Sequence, residues 1–442
     1  MTASDVRIPH ARLIVVIAAA AICAAILLLA RNYTFYFDEW SFILSAPDWT
    51  WRTYLEPHNE HPSMLLRLVY AMLLNTFGLR TYLPYMDVLL LLHAANVTLL
   101  FELVRRRAGD LVGMAAAALL LVLGAGWENL LWAFQLAWLA SVALGLGTFL
   151  VLQMPNAPGR LAVAAGLITA SLTFSGIGLL FAVAASVHLA ATPASRKDLV
   201  WLLPVAAALA AWYVAFGRSG QAPNPPPTVT NVYLLPFYAI WGLGASVAGL
   251  IGVSGFAGLA CLALATGAIA FSWRHGGPEP FALGVAAGLL AFYVLTGATR
   301  AQLGYEQAGA GRYVYVGAVF WLILLADLAR RLPWRGTWRP ALVACLFLGC
   351  FNSSVLLVEY AAAKTQVMAR EMADMQALAA VRTDPCLNRS GAVDRLVMPQ
   401  VTDPALYYRA IDRYGDPVAG MAVTDQSDFA RARLNLVSSG CR

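Results

Sequence analysis

Two adjacent carboxylates, Asp38 and Glu39, stand in the stretch YFDEWSFIL, directly after an apolar run of the sequence. A carboxylate beside hydrocarbon is costly, so it usually has a partner or a function. A partly apolar pocket raises the pKa of a carboxyl group, which can then take a proton from an attacking hydroxyl. Because adjacent side chains point in different directions, one acid can act as base while its neighbour holds a metal ion, a substrate hydroxyl or a basic side chain. The pair predicts general-base chemistry.

A second group of polar residues, His58, Glu60 and His61, lies in the segment PHNEHP. Imidazole and carboxylate groups together suit a divalent metal ion, although their spacing here matches no established metal motif. The same residues could bind substrate hydroxyls, or they could form a proline-bracketed turn whose polar groups bond the backbone. The sequence leaves these three interpretations open.

Aromatic and amide side chains alternate in the segment GWENLLWAFQLAW, residues 126–138. Flat aromatic faces beside Glu128, Asn129 and Gln135 suit the binding of a sugar ring. Tryptophan is also common at the membrane–water interface, where it anchors helices. Both interpretations remain open, and Glu128 is a candidate substrate-binding residue under the first.

Two arginines, Arg300 and Arg312, flank the segment that contains Tyr305 and Glu306. Arginine binds phosphate through two parallel hydrogen bonds, so the pair predicts a site for a lipid phosphate. The alternative is an ion pair of these arginines with Glu306 or Glu128. We expect the neighbouring Tyr305 and Tyr313 to contact substrate.

The composition of the chain identifies the elements that must position these residues. Of its 442 residues, 60% are hydrophobic and 12% are charged, about half the charged fraction of a soluble domain. Apolar runs near 20 residues recur, which predicts an all-α polytopic membrane protein. The net charge of +6 does not indicate nucleic acid binding, because the basic residues form short clusters between the apolar runs, as the positive-inside rule expects.

Placing the arginine clusters in the cytoplasm gives about eleven membrane spans, an internal N-terminus and an external C-terminus. The predicted spans are 13–30, 83–104, 111–126, 136–154, 161–174, 176–191, 199–217, 255–273, 281–297, 313–329 and 340–358. Residues 31–82 then form a long external loop. The later arginine clusters face the cytoplasm only if the apolar stretches 63–78 and 232–253 do not cross the membrane. We therefore expect interfacial or re-entrant helices there.

The remaining part, 359–442, has no apolar run long enough to span and predicts a small external C-terminal domain beside the membrane module 1–358. Residues 360–381 are predicted to continue the last span as a helix. Cys386 and Cys441 both fall in this domain, whereas the other four cysteines lie within spans. An external compartment permits disulfides, so these two cysteines are predicted to pair.

The layout resembles that of the GT-C glycosyltransferases, in particular bacterial aminoarabinose and arabinofuranosyl transferases. The shared features are the acidic pair after the first span, His61-Pro62 opening an interfacial helix that ends in Phe77-Gly78, Arg105–Arg107 closing the second span, and Arg312-Tyr313 late in the chain. The resemblance covers roughly residues 10–330. It departs from the family in having Ser63 where a second proline is usual.

The resemblance implies a transferase of the plasma (inner) membrane that moves a sugar from a polyprenyl-phosphate donor to an envelope acceptor at the external face. It further implies that Asp38 is the base, Glu39 the supporting carboxylate and Arg312 a ligand of the donor phosphate. We expect Arg300, which lies in the same external loop, to bind that phosphate as well. The anomeric centre would invert. No cofactor is required, although a divalent metal ion could assist. A lipid-linked sugar flippase and a non-catalytic envelope assembly subunit are the alternatives.

Overall fold

The computed structural model of the protein describes residues 2–154, 158–219, 226–330, 332, 334–388 and 391–437. Within these ranges the chain is mainly helical and has no strand, and isolated bridges join His58 to His61 and Leu387 to Val437. The helices of the first half are α1 (Ala11–Leu29), α2 (Asp38–Ser45), α3 (Trp51–Leu55), α4 (Met64–Phe77), α5 (Leu83–Leu121), α6 (Glu128–Leu131), α7 (Leu136–Leu152), α8 (Arg160–Phe174) and α9 (Gly178–Ala191). The helices of the second half are α10 (Leu203–Ala215), α11 (Val229–Gly249), α12 (Ala257–Gly276), α13 (Pro280–Arg300), α14 (Gly311–Ala329), α15 (Trp338–Val381), α16 (Pro404–Tyr414) and α17 (Gln426–Leu436).

Nine helices of the described part are long and apolar enough to cross a membrane, which confirms a polytopic all-α membrane protein. One of them, α5, holds two predicted spans, because the chain reverses at Gly109, where φ is +86°. Beyond the reversal, a side chain at Gly113 would touch Phe101 and Arg105, and His93 bonds the carbonyl of Leu121. The predicted spans 83–104 and 111–126 are therefore the two arms of one helical hairpin.

Helix α4 has the two-sided pattern of a surface helix. Leu68, Met72 and Phe77 are exposed, whereas Tyr70 and Leu74 are buried. An apolar stripe on both the inner face and part of the outer face suits a helix that lies in the membrane interface. At its end Gly78 packs against the backbone of Tyr414 in α16, so a side chain at this position would collide with the tail.

Helix α11 is long and apolar enough to span, and it packs along α13 and the first half of α14. Asn231 donates to the carbonyl of Ala298, Gly242 packs on the ring of Tyr293, and Gly249 contacts Val314. The two ends of α11, at Asn231 and Gly249, thus both lie beside the ends of α13 and α14 that adjoin the loop between them, whereas its middle contacts Trp321 inside α14. This course favours the predicted re-entrant or interfacial placement of residues 232–253.

Charged residues cluster at the end of the helix bundle that lies away from Asp38 and Arg312. Arg12 binds Glu102 through two hydrogen bonds, and Arg107 bridges Glu279 and Asp327. These clusters contain the arginines that the positive-inside rule assigned to the cytoplasm. The polar residues singled out for chemistry lie at the other end, so the two faces of the bundle differ in the way that the sequence predicts.

The last long helix, α15, continues without a break from the bundle into the C-terminal tail, as predicted for residues 360–381. Its second half contacts the first loop: Tyr33 donates to the carbonyl of Ala361, and the indole of Trp40 donates to Glu371 over 2.9 Å. The ring of Trp40 also packs on Tyr407 in α16. The tail therefore closes over the 31–82 segment.

Cys386 is disulfide-bonded, whereas Cys23, Cys261, Cys345 and Cys350 are free thiols. Cys441 lies outside the described residues, so its pairing with Cys386 stays a prediction.

Candidate active site

Asp38 begins helix α2 and lines a polar cavity of about 520 Å³. The preceding residue, Phe37, has φ +50° and ψ −118°, which turns the chain sharply into the helix. Burial raises the pKa of Asp38 to about 6, and the nearby charge of Arg312 opposes that rise. Asp38 is consequently ionised at neutral pH and still basic enough to accept a proton.

Glu39 points away from Asp38 into the protein and is fully buried. Its carboxylate accepts hydrogen bonds from the hydroxyls of Tyr70 (2.8 Å) and Tyr82 (3.0 Å) and from the backbone NH of Tyr36 (2.9 Å). Burial raises the pKa of Glu39 to about 7 despite these bonds. Glu39 is absent from the described lining of the cavity. Its contribution to the site is indirect, because its hydrogen bonds fix the turn that presents Asp38.

The segment PHNEHP folds as a tight turn at the cavity wall. His58 and His61 exchange two backbone hydrogen bonds of 3.0 and 3.1 Å around Asn59, which has φ +53°. The ring of His58 packs edge-on against Phe42 and Phe134, and burial lowers its pKa to about 4, so it is neutral at physiological pH. Both histidines line the polar cavity.

Glu60, at the tip of this turn, pairs with Arg300 over 3.1 Å. The imidazole of His61 lies 3.8 Å from the same carboxylate and against Gly176, where a side chain would strike the ring. The described residues contain no group of three or more His, Cys, Asp or Glu side chains placed to hold a metal ion. One carboxylate oxygen of Glu60, Oε2, contacts both the guanidinium of Arg300 and the imidazole of His61.

Arg312, at the start of α14, binds Glu128 through both its backbone NH (2.8 Å) and its side chain (3.2 Å). Its guanidinium also lies 5.1 Å from the ring centroid of Tyr313. Arg312, Glu128 and Tyr313 all line the polar cavity beside Asp38. The sequence left two interpretations of the two arginines open, and in this structure both form ion pairs with carboxylates.

Tryptophans provide the flat walls of the polar cavity, as the 126–138 segment suggested. Trp127, Trp132 and Trp138 line it together with Gln135. Asn129 is buried and lies outside the described lining of this cavity. Tyr305 also lies outside it and packs on Trp241 at a centroid distance of 5.3 Å. Seven of the predicted site residues share the polar cavity lining, namely Asp38, His58, His61, Glu128, Arg300, Arg312 and Tyr313. Glu60 reaches that site through its ion pair with Arg300, and Glu39 and Tyr305 lie outside the lining.

One lining residue, Lys364 of α15, was missed by the sequence analysis. Its side chain is buried and its Nζ lies 3.2 Å from the ring centroid of Tyr36. The available signal was its rarity, because the chain has 28 arginines and only two lysines, Lys197 and Lys364. Helical periodicity could not show which face of residues 360–381 docks onto the first loop.

A second cavity, of about 730 Å³, adjoins the polar one and is apolar. Leucine, valine and alanine side chains of α9 and α10 form much of its wall. The two cavities share His61, Pro62, Trp138, Arg300 and Tyr313 as lining residues. Arg300 thus stands at the boundary between a space suited to a hydrocarbon chain and a space suited to a polar group.

No family model and no curated protein matches the sequence. Among solved structures, the chain is similar to ArnT from Cupriavidus metallidurans in the apo state, with a TM-score of 0.55, 15% identity, and coverage of 94% of this chain and 90% of that one. A structure of the same ArnT bound to undecaprenyl phosphate matches with a TM-score of 0.45, 16% identity, and coverage of 95% and 77%. The chain has the fold of ArnT, the GT-C fold that the sequence resemblance implied.

Proposed function

We propose that this protein is an integral glycosyltransferase of the inner membrane that moves a sugar from a polyprenyl-phosphate donor to an envelope acceptor. One observation carries the proposal: the polar cavity that holds Asp38 adjoins a large apolar cavity, and Arg300 stands where they meet. A lipid-linked sugar has the matching two-part chemistry, with a hydrocarbon chain, a phosphate and a polar ring in that order. The external position of the polar cavity follows from the arginine distribution.

The positions of these groups support an inverting displacement at the anomeric carbon. The acceptor hydroxyl gives its proton to the carboxylate of Asp38 as its oxygen bonds to the anomeric carbon of the donor sugar. The bond from that carbon to the phosphate oxygen breaks, and the electron pair leaves with the polyprenyl phosphate. Attack from the side opposite the phosphate inverts the anomeric centre. Holding both substrates in one cleft supplies much of the rate gain, and nearby cations stabilise the departing phosphate.

A panel of radiolabelled polyprenyl-phosphate sugars tests the proposal. The purified full chain in lipid nanodiscs is incubated with each donor and with an envelope lipid and glycan extract as acceptor. Donor-dependent transfer of label supports the proposal and identifies the sugar. Asp38→Asn should retain donor binding and lose roughly 10²–10⁴-fold in turnover. Movement of unaltered donor across vesicles would instead indicate a flippase, and absence of both donor binding and transfer would indicate an assembly subunit.

A further inference from the structure

The ammonium of Lys364 lies in the wall of the polar cavity between two aromatic rings. Its Nζ is 3.2 Å from the ring centroid of Tyr36 and 5.7 Å from that of Trp132. Only 5% of the residue is exposed. Burial lowers the pKa of Lys364 to about 7, so near neutral pH its amine is present in both the neutral and the ammonium form, and an oxyanion bound beside it would favour the ammonium.

Among the described residues, no carboxylate lies within ion-pair distance of Lys364 and no acceptor bonds it. The carboxylates whose charges act on the amine of Lys364 are Glu39, Glu371 and Glu128. Each of them bonds another group: Glu39 the hydroxyls of two tyrosines, Glu371 the indole of Trp40, and Glu128 the guanidinium of Arg312. Arg300 and Arg312, the other cations of the cavity lining, have carboxylate partners, and Lys364 does not.

A buried charge without a partner is unfavourable, and contacts with aromatic rings compensate only part of that cost. An apolar side chain of similar length would fill the same space without it. The rings of Tyr36 and Trp132 lie beside the ammonium itself, and Lys364 lines the cavity. An ammonium has three N–H donors, so those not directed at the ring of Tyr36 can bond a ligand. An oxyanion in the cavity would complete the missing ion pair.

We propose that Lys364 binds a substrate oxyanion, a phosphate or a carboxylate, inside the polar cavity. The assignment of that oxyanion to the donor phosphate rests on the proposed function, whereas the binding itself does not. The same chemistry could come from an anionic group of the acceptor, so the test must separate the two sources. Lys364 would then neutralise charge that the paired Arg300 and Arg312 do not.

The lysine content of the chain permits a test that needs no variant. The full chain in nanodiscs is treated with a limiting amount of an amine-acetylating reagent, and labelling at Lys364 and at the exposed Lys197 is read by peptide mass spectrometry. Farnesyl phosphate should protect Lys364 and leave Lys197 unchanged, and the neutral alcohol farnesol should protect neither. Equal protection by farnesol would show simple occlusion and overturn the proposal.

The source of the oxyanion is read from a second arm with inorganic phosphate. Protection of Lys364 by farnesyl phosphate supports the donor phosphate as ligand, and protection by inorganic phosphate alone supports an anionic group of the other substrate. Protection by neither overturns the proposal. A chain that binds farnesyl phosphate through Lys364 but transfers no sugar would retain this inference and reject the proposed function.

Variants provide an independent measurement. Lys364→Met keeps the length of the side chain and should weaken farnesyl phosphate binding roughly tenfold or more, because a bond to a charged group is lost. Lys364→Arg should keep most of the affinity, and farnesol should bind all three proteins alike. Equal farnesyl phosphate affinity in the wild type and a monodisperse Lys364→Met protein would contradict the proposal. If that variant does not fold, the labelling result decides.

Discussion

The guanidinium of Arg312 and the carboxylate of Glu128 are bonded across 184 residues of sequence, and both line the cavity that contains Asp38. The charge of Arg312 lowers the pKa of Asp38, and Glu128 partly neutralises that charge. Burial remains the main influence on the pKa of Asp38, and the Arg312–Glu128 pair, built from distant parts of the chain, sets how far the charge of Arg312 opposes it.

The first prediction concerns the acid limb of the pH–rate profile. Burial raises the pKa of Asp38 to about 6, so below that pH most of the base is protonated and cannot accept a proton. We expect kcat/KM to fall about tenfold for each pH unit below 6 and to level off above 7. Transfer rates measured from pH 4.5 to 8 check this. A profile that is flat down to pH 4.5 would contradict the role of Asp38.

Glu128→Gln should shift this limb to lower pH. The substitution keeps the shape of the side chain but leaves the charge of Arg312 uncompensated, which favours the ionised form of Asp38. Arg312→Met, the matched opposite change, should shift the limb to higher pH. Displacements of roughly one pH unit are expected. Shifts in the same direction for both variants would exclude an electrostatic balance and indicate general damage to the site.

The third prediction separates phosphate binding by Arg300 from a purely structural ion pair with Glu60. The double variant Glu60→Arg, Arg300→Glu restores the pair with reversed charges, and its unfolding temperature should approach that of the wild type. If Arg300 binds the donor phosphate, the reversed pair should not restore donor affinity, because a carboxylate then stands at the cavity boundary. Each single variant serves as a control. Recovery of both stability and donor affinity would assign Arg300 a structural role only.

Glu39 predicts a pH-dependent stability. Its pKa is about 7 in the folded protein, above the ordinary value of 4.5, so the folded state binds the proton more tightly than the unfolded state. The resulting stabilisation is fully present below pH 4.5 and is lost as the pH rises through 7, a change on the order of 3 kcal/mol. Unfolding temperatures from pH 4 to 8 should show this slope in the wild type and a shallower one in Glu39→Gln. Identical slopes would be inconsistent with it.

The disulfide of Cys386 gives a covalent test of the tail. Peptide mapping without reduction should recover a Cys386–Cys441 crosslink, and Cys386→Ser should destabilise the tail by roughly 2–5 kcal/mol. Limited proteolysis of the variant should cut first within residues 382–437. The free Cys345, which is exposed, provides a matched control, because Cys345→Ser should change neither result.

Most of the predicted spans and the position of Asp38 were predictable, because both follow from the cost of placing charge beside hydrocarbon. The helices α8 and α9, at the predicted spans 161–174 and 176–191, are shorter than a spanning helix. The reversal at Gly109 and the continuation of α15 followed from the alternation of apolar runs and basic clusters. The partners of Arg300 and Arg312 were not predictable, since Glu60 and Glu128 approach them only after the loops fold. The direction of Glu39 was not predictable either, because it depends on Tyr70 and Tyr82, which belong to separate segments.

Helix α15 has 44 residues and joins the last apolar span to the tail without an interruption. A protein shortened after residue 358 would lose Lys364 from the cavity wall and Glu371 from Trp40 at once. The tail and the membrane bundle are thus expected to move together, so that a mutation in α16 changes the position of Asp38. If evolution replaced this tail by another, the new tail would have to supply residues in place of Lys364 and Glu371 at the same time.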